Sequence, residues 1–303
     1  MKKILLSVIL SASLYAQGDI RIFDIENSDG KITAETIEEG LKSSGFTIGV
    51  NSEMNRPFTK QFGKSDFKSF NLITAFHTKL SPELISKYPN MGLFTPMSIG
   101  VYQANNANSI HIATLTSDAQ SKITGIKDAK LKLIEKDLVS AVKKLAPNAT
   151  QRYSQESIKA DKPLVTSYKA TTQNGKPAEL KEQFEMSLES GFEPKGFVMP
   201  AYMNVTDELA KDKKLKNPYD FYDTYSICKL EVIYNVVKTR PEASAFAPCT
   251  TMVYKKKKEN KIVVAFPSVY NWLSSAIVKD EEATRVLNKA QNDFENVLQE
   301  ITE

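Results

Sequence analysis

Residues 79–102 and 231–254 carry five identical residues in the same order and at one spacing. Pro89, Phe94, Pro96, Val101 and Tyr102 fall on Pro241, Phe246, Pro248, Val253 and Tyr254, each pair 152 positions apart. Upstream, Asp29-Gly30-Lys31 matches Asn174-Gly175-Lys176, and Ser44-Gly45-Phe46 matches Ser190-Gly191-Phe192, at offsets of 145 and 146. Ordered agreement through both halves means one structural unit built twice, which constrains the fold more than any composition does. Repeat one reads as residues 19–147 and repeat two as 163–303, the second with a few extra residues between Phe192 and Glu231. The polar stretch 148–162 reads as a linker, because it offers few large apolar side chains to bury. A unit of about 130 residues can bury a core of its own.

The pattern within one repeat predicts the other. Residues 20–25 alternate apolar and polar, as a strand does, and Asp29-Gly30 makes a turn. Residues 33–43 hold Ile37 and Leu41 at helical spacing, with Gly45 as a stop. Strands follow at 46–51 and 70–76, then a short helix at 82–88 that ends before Pro89. Residues 97–103 and 109–115 form a hairpin across an Asn-rich turn, and 131–145 a long amphipathic helix. In repeat two the same order gives a strand at 164–170, a helix at 177–188, a strand at 224–230 and a short helix at 232–239. A hairpin (249–256 with 261–266) and a closing helix at 281–301 complete it. This order predicts an α+β fold: two tandem repeats, each an antiparallel sheet with helices on one face.

Composition excludes several classes. With 41% hydrophobic and 25% charged residues the chain is ordinary globular protein. Two Cys and two His rule out a multi-bridge disulfide scaffold and a multi-zinc array. Lys2 and Lys3 precede an apolar run at 4–14 and then Tyr15-Ala16-Gln17-Gly18, the pattern of a secretory signal peptide over residues 1–18, cleaved after Ala16 or Gly18. The run is too short for a spanning helix, and no Cys near the junction supports a lipid anchor. The expected product is periplasmic and not membrane-spanning after cleavage. Its formal charge falls from +4 to +2 with the loss of the two Lys, which is no nucleic-acid signature. Nucleotide-binding glycine motifs and a Gly-x-Ser-x-Gly elbow are missing, so no cofactor is implied.

The segment Cys228-Lys229-Leu230 … Pro241 … Ala247-Pro248-Cys249 … Val253-Tyr254 resembles the bacterial domain-of-unknown-function 302 family, and so does Pro89 … Leu93-Phe94-Thr95-Pro96-Met97 … Val101-Tyr102. Repeat one departs from the pattern, with Phe76 in place of Cys228 and Met97 in place of Cys249. The resemblance implies a strand–helix–four-strand–helix unit similar to the TATA-binding-protein-like class. It implies no established reaction, and DNA binding does not carry over with the fold.

Cys228 and Cys249 are the sharpest candidate site. They lie 21 positions apart, at the end of one expected strand and the start of the next. In an oxidising compartment such a pair closes as a structural disulfide. The alternatives are two buried thiols, or a redox-active or copper-binding pair. His77 and His111 lack metal-ligand spacing and read as solvent-facing strand residues. Tyr219, Phe221, Tyr222 and Tyr225, with interleaved acids, and Tyr254 form a candidate ligand cleft, or else amphipathic packing at a sheet edge. The Lys-rich runs at 211–216 and at 255–258 with Lys261 read as solvated surface, the second as a charged hairpin tip. The functional expectation is a non-catalytic protein that binds a small molecule or an envelope protein, in the groove between repeats or between sheet and helix. Two alternatives stand beside it: a thiol-dependent redox or copper-binding protein using Cys228 and Cys249, and a structural subunit of an envelope assembly.

Overall fold

A computed structural model describes residues 18–172 and 175–303. Apart from Gly18, the expected signal peptide lies outside the described residues, as does Asn174 of the upstream match. Repeat one runs β1 (Ile20–Glu26), α1 (Ala34–Ser43), β2 (Phe46–Glu53), α2 (Asn55–Phe62), β3 (Phe67–His77), α3 (Leu80–Ile85), a 3₁₀ turn (Pro89–Phe94), β4 (Met97–Ala104), β5 (Ser109–Leu115), α4 (Ser117–Thr124) and α5 (Lys130–Leu145). Strand β6 (Thr150–Tyr153) follows. Repeat two runs β7 (Val165–Thr171), α6 (Pro177–Phe192), β8 (Val198–Asn204), α7 (Val205–Ala210), β9 (Tyr219–Cys228), α8 (Leu230–Val237), a 3₁₀ turn (Pro241–Phe246), β10 (Cys249–Lys256), β11 (Lys261–Pro267), α9 (Tyr270–Ser275) and α10 (Glu281–Thr302). The two halves match element for element, apart from β6 and an extra 3₁₀ turn (Glu193–Lys195) between α6 and β8.

Each repeat builds one antiparallel sheet. The orders are β2-β3-β4-β5-β1-β6 and β7-β11-β10-β9-β8, so within each repeat the first strand lies beside the fifth and the second forms an edge. Local chemistry sets the helices. Thr33 and Thr36 close a capping box at the start of α1, and α5 buries the stripe Leu131, Ile134, Leu138 and Val142 in the core beside α1. In α10 the buried stripe runs from Ala283 through Leu287 and Phe294 to Leu298. The stretch expected as a linker holds β6, which pairs with the free edge of β1. Thr150-Gln151-Arg152-Tyr153 shows no apolar alternation; an unpaired edge recruits it through backbone hydrogen bonds, with Arg21 over the Tyr153 ring.

The faces without long helices turn toward each other. Ser98 Oγ on β4 donates to the Pro248 carbonyl at 2.9 Å, and Thr250 Oγ1 on β10 donates to the Pro96 carbonyl at 2.8 Å. These bonds exchange under the 152-residue offset: each repeat offers the other the same hydroxyl and the same carbonyl. Such reciprocity is the mark of a two-fold interface, here within one chain. Each 3₁₀ turn packs on the opposite sheet, 89–94 against β10 and 241–246 against β4 and β5. The edge strands β2 and β8 meet across the same axis.

Candidate functional site

Strand β9 delivers Cys228 and β10 begins at Cys249, but the register sets Cys249 opposite Ile227. Directly opposed residues bring their Cβ atoms closest. The two Cys are one step out of that arrangement, and both are free thiols. The expected disulfide is thus not formed in this structure. Burial pushes each thiol up to about 12, and the neighbouring Cys228 adds to the rise at Cys249.

Both sulfur-bearing side chains line a pit of about 30 Å³ between sheet and helices, whose walls include Ile227, Val232, Phe266, Trp272 and Phe294. In front of it lies a cleft of about 520 Å³ between the repeats. Repeat one contributes Glu53, Met54, Pro57 and Leu72; repeat two contributes Val198, Pro200 and Leu230. Cys228, Lys229 and Pro248 line both spaces, so they form the wall between pit and cleft. The Lys229 ammonium stands 3.6 Å from the Asp293 carboxylate and 5.5 Å from the centre of the Phe197 ring.

The internal two-fold makes a second cleft, of about 180 Å³, lined by Ile48, Phe76 and Pro96 from repeat one and by Thr224 and Ser226 from repeat two. The 152-residue offset carries Phe76 onto Cys228, Pro96 onto Pro248 and Leu72 onto Thr224. The clefts are therefore mates that have diverged. Phe76 lines the smaller cleft at the position where Cys228 lines the larger one. Thr224 and Ser226, each 1% exposed, have hydroxyls with no hydrogen-bond partner among the described atoms.

The aromatic candidates do not line either cleft. Tyr219 and Tyr222 are buried, and their hydroxyls donate to the carbonyls of Ile85 (2.8 Å) and Pro89 in repeat one. Tyr254 packs edge-on against Tyr219 and at a tilt against Tyr222. These three are the packed core of the repeat–repeat interface. Phe221 and Tyr225 point the other way, because alternate residues of a strand take opposite faces. On that face lies a network the sequence did not single out. Lys181 Nζ donates to the Tyr202 hydroxyl at 2.8 Å, Tyr202 donates to Asp223 Oδ1 at 2.8 Å, and Tyr225 donates to Glu185. Asp223 is 1% exposed and its Oδ2 has no partner among the described atoms.

Neither His is a free surface residue. His111 Nδ1 lies 2.6 Å from Asp24, and His77 Nε2 lies 3.3 Å from Asp137 while its Nδ1 accepts from the Leu80 amide. The expectation of solvent-facing strand residues gives way to carboxylate-paired rings, His77 at 12% and His111 at 23% side-chain exposure. Lys255 leaves the predicted charged tip as well: it is buried in β10 and bonds Asp220 at 2.6 Å. Of the other run, Lys211 pairs with Glu208. Among the described residues no group of three or more His, Cys, Asp or Glu is placed to hold a metal ion, and no helix is long and apolar enough to cross a membrane.

Residues 26–145 and 178–301 each match the family described as Domain of unknown function DUF302. The chain belongs to this family. It carries the DUF302 unit twice, in the two halves that the internal offset relates. One solved structure, titled "Crystal structure of uncharacterized conserved protein DUF302 from Bacillus stearothermophilus", is similar at 16% identity over 46% of this chain and 95% of that chain, with a TM-score of 0.34. Comparison with curated proteins finds no match.

Proposed function

We propose that this tandem DUF302 protein is an exported, non-catalytic binding protein whose small-molecule site is the larger of its two clefts. The observation that carries the reading is the divergence of the clefts. Two sites began alike under the internal two-fold; one is lined by Phe76, and the other, lined at that position by Cys228, holds about 520 Å³. That volume falls in the range of ligand pockets, and the position between two packed units is a common one for them. Its lining combines apolar side chains with a few charged ones, Glu53, Lys229 and Glu231. The thiol-dependent alternative draws less support, because burial keeps both thiols protonated at neutral pH and the thiolate is the reactive and metal-ligating form. Export rests on the N-terminal sequence pattern alone. Native mass spectrometry of the full chain purified from its host, beside Cys228→Phe, tests the reading. The expected result is a bound small molecule on the first and none on the second. Identical occupancy of both, or no ligand on either together with no fragment hit in the cleft, refutes it.

A further inference from the structure

Of the three charged side chains that line the larger cleft, two are carboxylates, Glu53 from repeat one and Glu231 from repeat two. The third, Lys229, is engaged within the wall: its side chain is 14% exposed and its ammonium stands 3.6 Å from the Asp293 carboxylate. Glu53 is tied down as well, accepting the backbone amides of Asn55 at 2.6 Å and Arg56 at 3.1 Å at the start of α2. Glu231 has no such hold. Its neighbouring cation, Arg285, is 4.0 Å away and bonds both carboxylate oxygens of Glu282, at 2.6 and 2.8 Å. The balance of charge facing a ligand is therefore negative, and the least engaged group is the Glu231 carboxylate. The sister cleft differs. The internal offset sets Lys79 at the place of Glu231, and the one charged residue lining the smaller cleft, Glu208, is bonded to Lys211 at 2.6 Å. Most of the remaining wall is apolar, with Met54 and Leu72 from one repeat and Val198 and Leu230 from the other. Val198 is left 55% exposed, an uncovered apolar surface inside a cleft of about 520 Å³.

We infer that the larger cleft takes a small amphipathic cation, an organic amine in its ammonium form, with the charged head on the Glu231 carboxylate and the apolar body against Met54, Leu72, Val198 and Leu230. This rests on the reading of that cleft as the binding site and adds the ligand class. An apolar wall rewards a body that sheds water, and a carboxylate at its margin selects the sign of the head. A hard metal ion would ask for more oxygen ligands than this wall supplies. An anionic head would meet Glu231 and Glu53 with like charge.

Three probes with one apolar body separate the claims: phenethylamine, phenethyl alcohol and phenylacetate, which are cationic, neutral and anionic. Each is titrated into the ¹⁵N-labelled full-length protein while the amide signals of Val198 and Leu230 are followed. The expected order of affinity is amine, then alcohol, then acid, with the amine ahead of the alcohol by about fivefold, the worth of one partly exposed ion pair. Glu231→Gln should bring the amine down to the level of the alcohol, and added salt should narrow the same gap in the wild-type protein. Cleft signals that move alike for amine and alcohol, or most for the acid, overturn the cationic ligand and leave the cleft standing. An amine advantage that survives both Glu231→Gln and high salt overturns the role of Glu231. Cleft signals that respond to none of the three probes overturn the ligand class and the cleft together. Should the Gln variant not fold, the salt dependence in the wild-type protein decides.

Discussion

Asp223 is a carboxylate whose charge the fold tolerates poorly. Burial raises its carboxyl from the ordinary range to about 6, against the opposing pull of the Tyr202 hydrogen bond and of Lys181. A carboxyl raised in the folded state binds its proton more tightly there than in the unfolded chain. Its contribution to stability therefore falls as pH rises from about 4 to about 6 and is recovered on acidification. Urea unfolding should show wild type gaining on Asp223→Asn as pH drops from 7 to 5; parallel pH profiles for the two proteins would refute this. The thiols carry the same sign at higher pH. Held up to about 12, they should react with a thiol reagent at pH 8 at least about a hundredfold more slowly in the folded protein than in urea, since the thiolate is the reactive species. Equal rates would mean that neither sulfur is shielded. The Tyr–Asp segment was visible in the sequence as unusual. Which of its faces turns to repeat one was not, nor that Tyr219 shares the face of Tyr222 against simple alternation, because that depends on a register shift beside Lys255.

Elements with strong periodicity were legible; those shaped by their neighbours were not. Helices α1, α5 and α10 and both hairpins follow from apolar spacing and turn residues alone. Strand β8 does not: Pro200 interrupts it, and a sheet accepts that only because β8 is an edge with a register shift between Val198 and Ala201. Helices α2 and α4 are eight residues each and bury few large side chains, too short for a period to declare itself. The 3₁₀ turns depend on the partner repeat. Gly100 on β4 lies so close to Ser244 that a Cβ there would collide with the Ser244 side chain and press its backbone. Gly100→Ala should cost about 1–3 kcal/mol, the usual price of overpacking, measured as a lower urea midpoint with an unchanged slope. Ser98→Ala and Thr250→Val each remove one of the exchanged hydroxyls, and each should cost about 1 kcal/mol. A hydroxyl whose removal changes nothing would show its carbonyl satisfied by solvent, and the interface looser than the distances imply.

At the scale of the molecule, one two-fold made two clefts that now differ at mated positions, Phe76 against Cys228 and Thr224 against Leu72. The duplication was legible because Pro96 and Pro248, and Tyr102 and Tyr254, kept their spacing. The clefts were not, since a space between repeats exists only after the repeats dock. Their divergence makes an asymmetric prediction for the reciprocal exchange. Phe76 is 3% exposed, so Phe76→Cys removes a packed ring and should cost about 2–4 kcal/mol, somewhat below the truncation of a buried Phe to Ala. Cys228→Phe instead adds a ring beside open volume, at a position where the sister repeat already carries one. It should cost less than about 1.5 kcal/mol, well under the usual penalty for enlarging a close-packed core. Urea titration of both variants measures the difference. If the two cost the same, the larger cleft is not free space waiting to be filled, and the identity of residue 228 is not what holds it open.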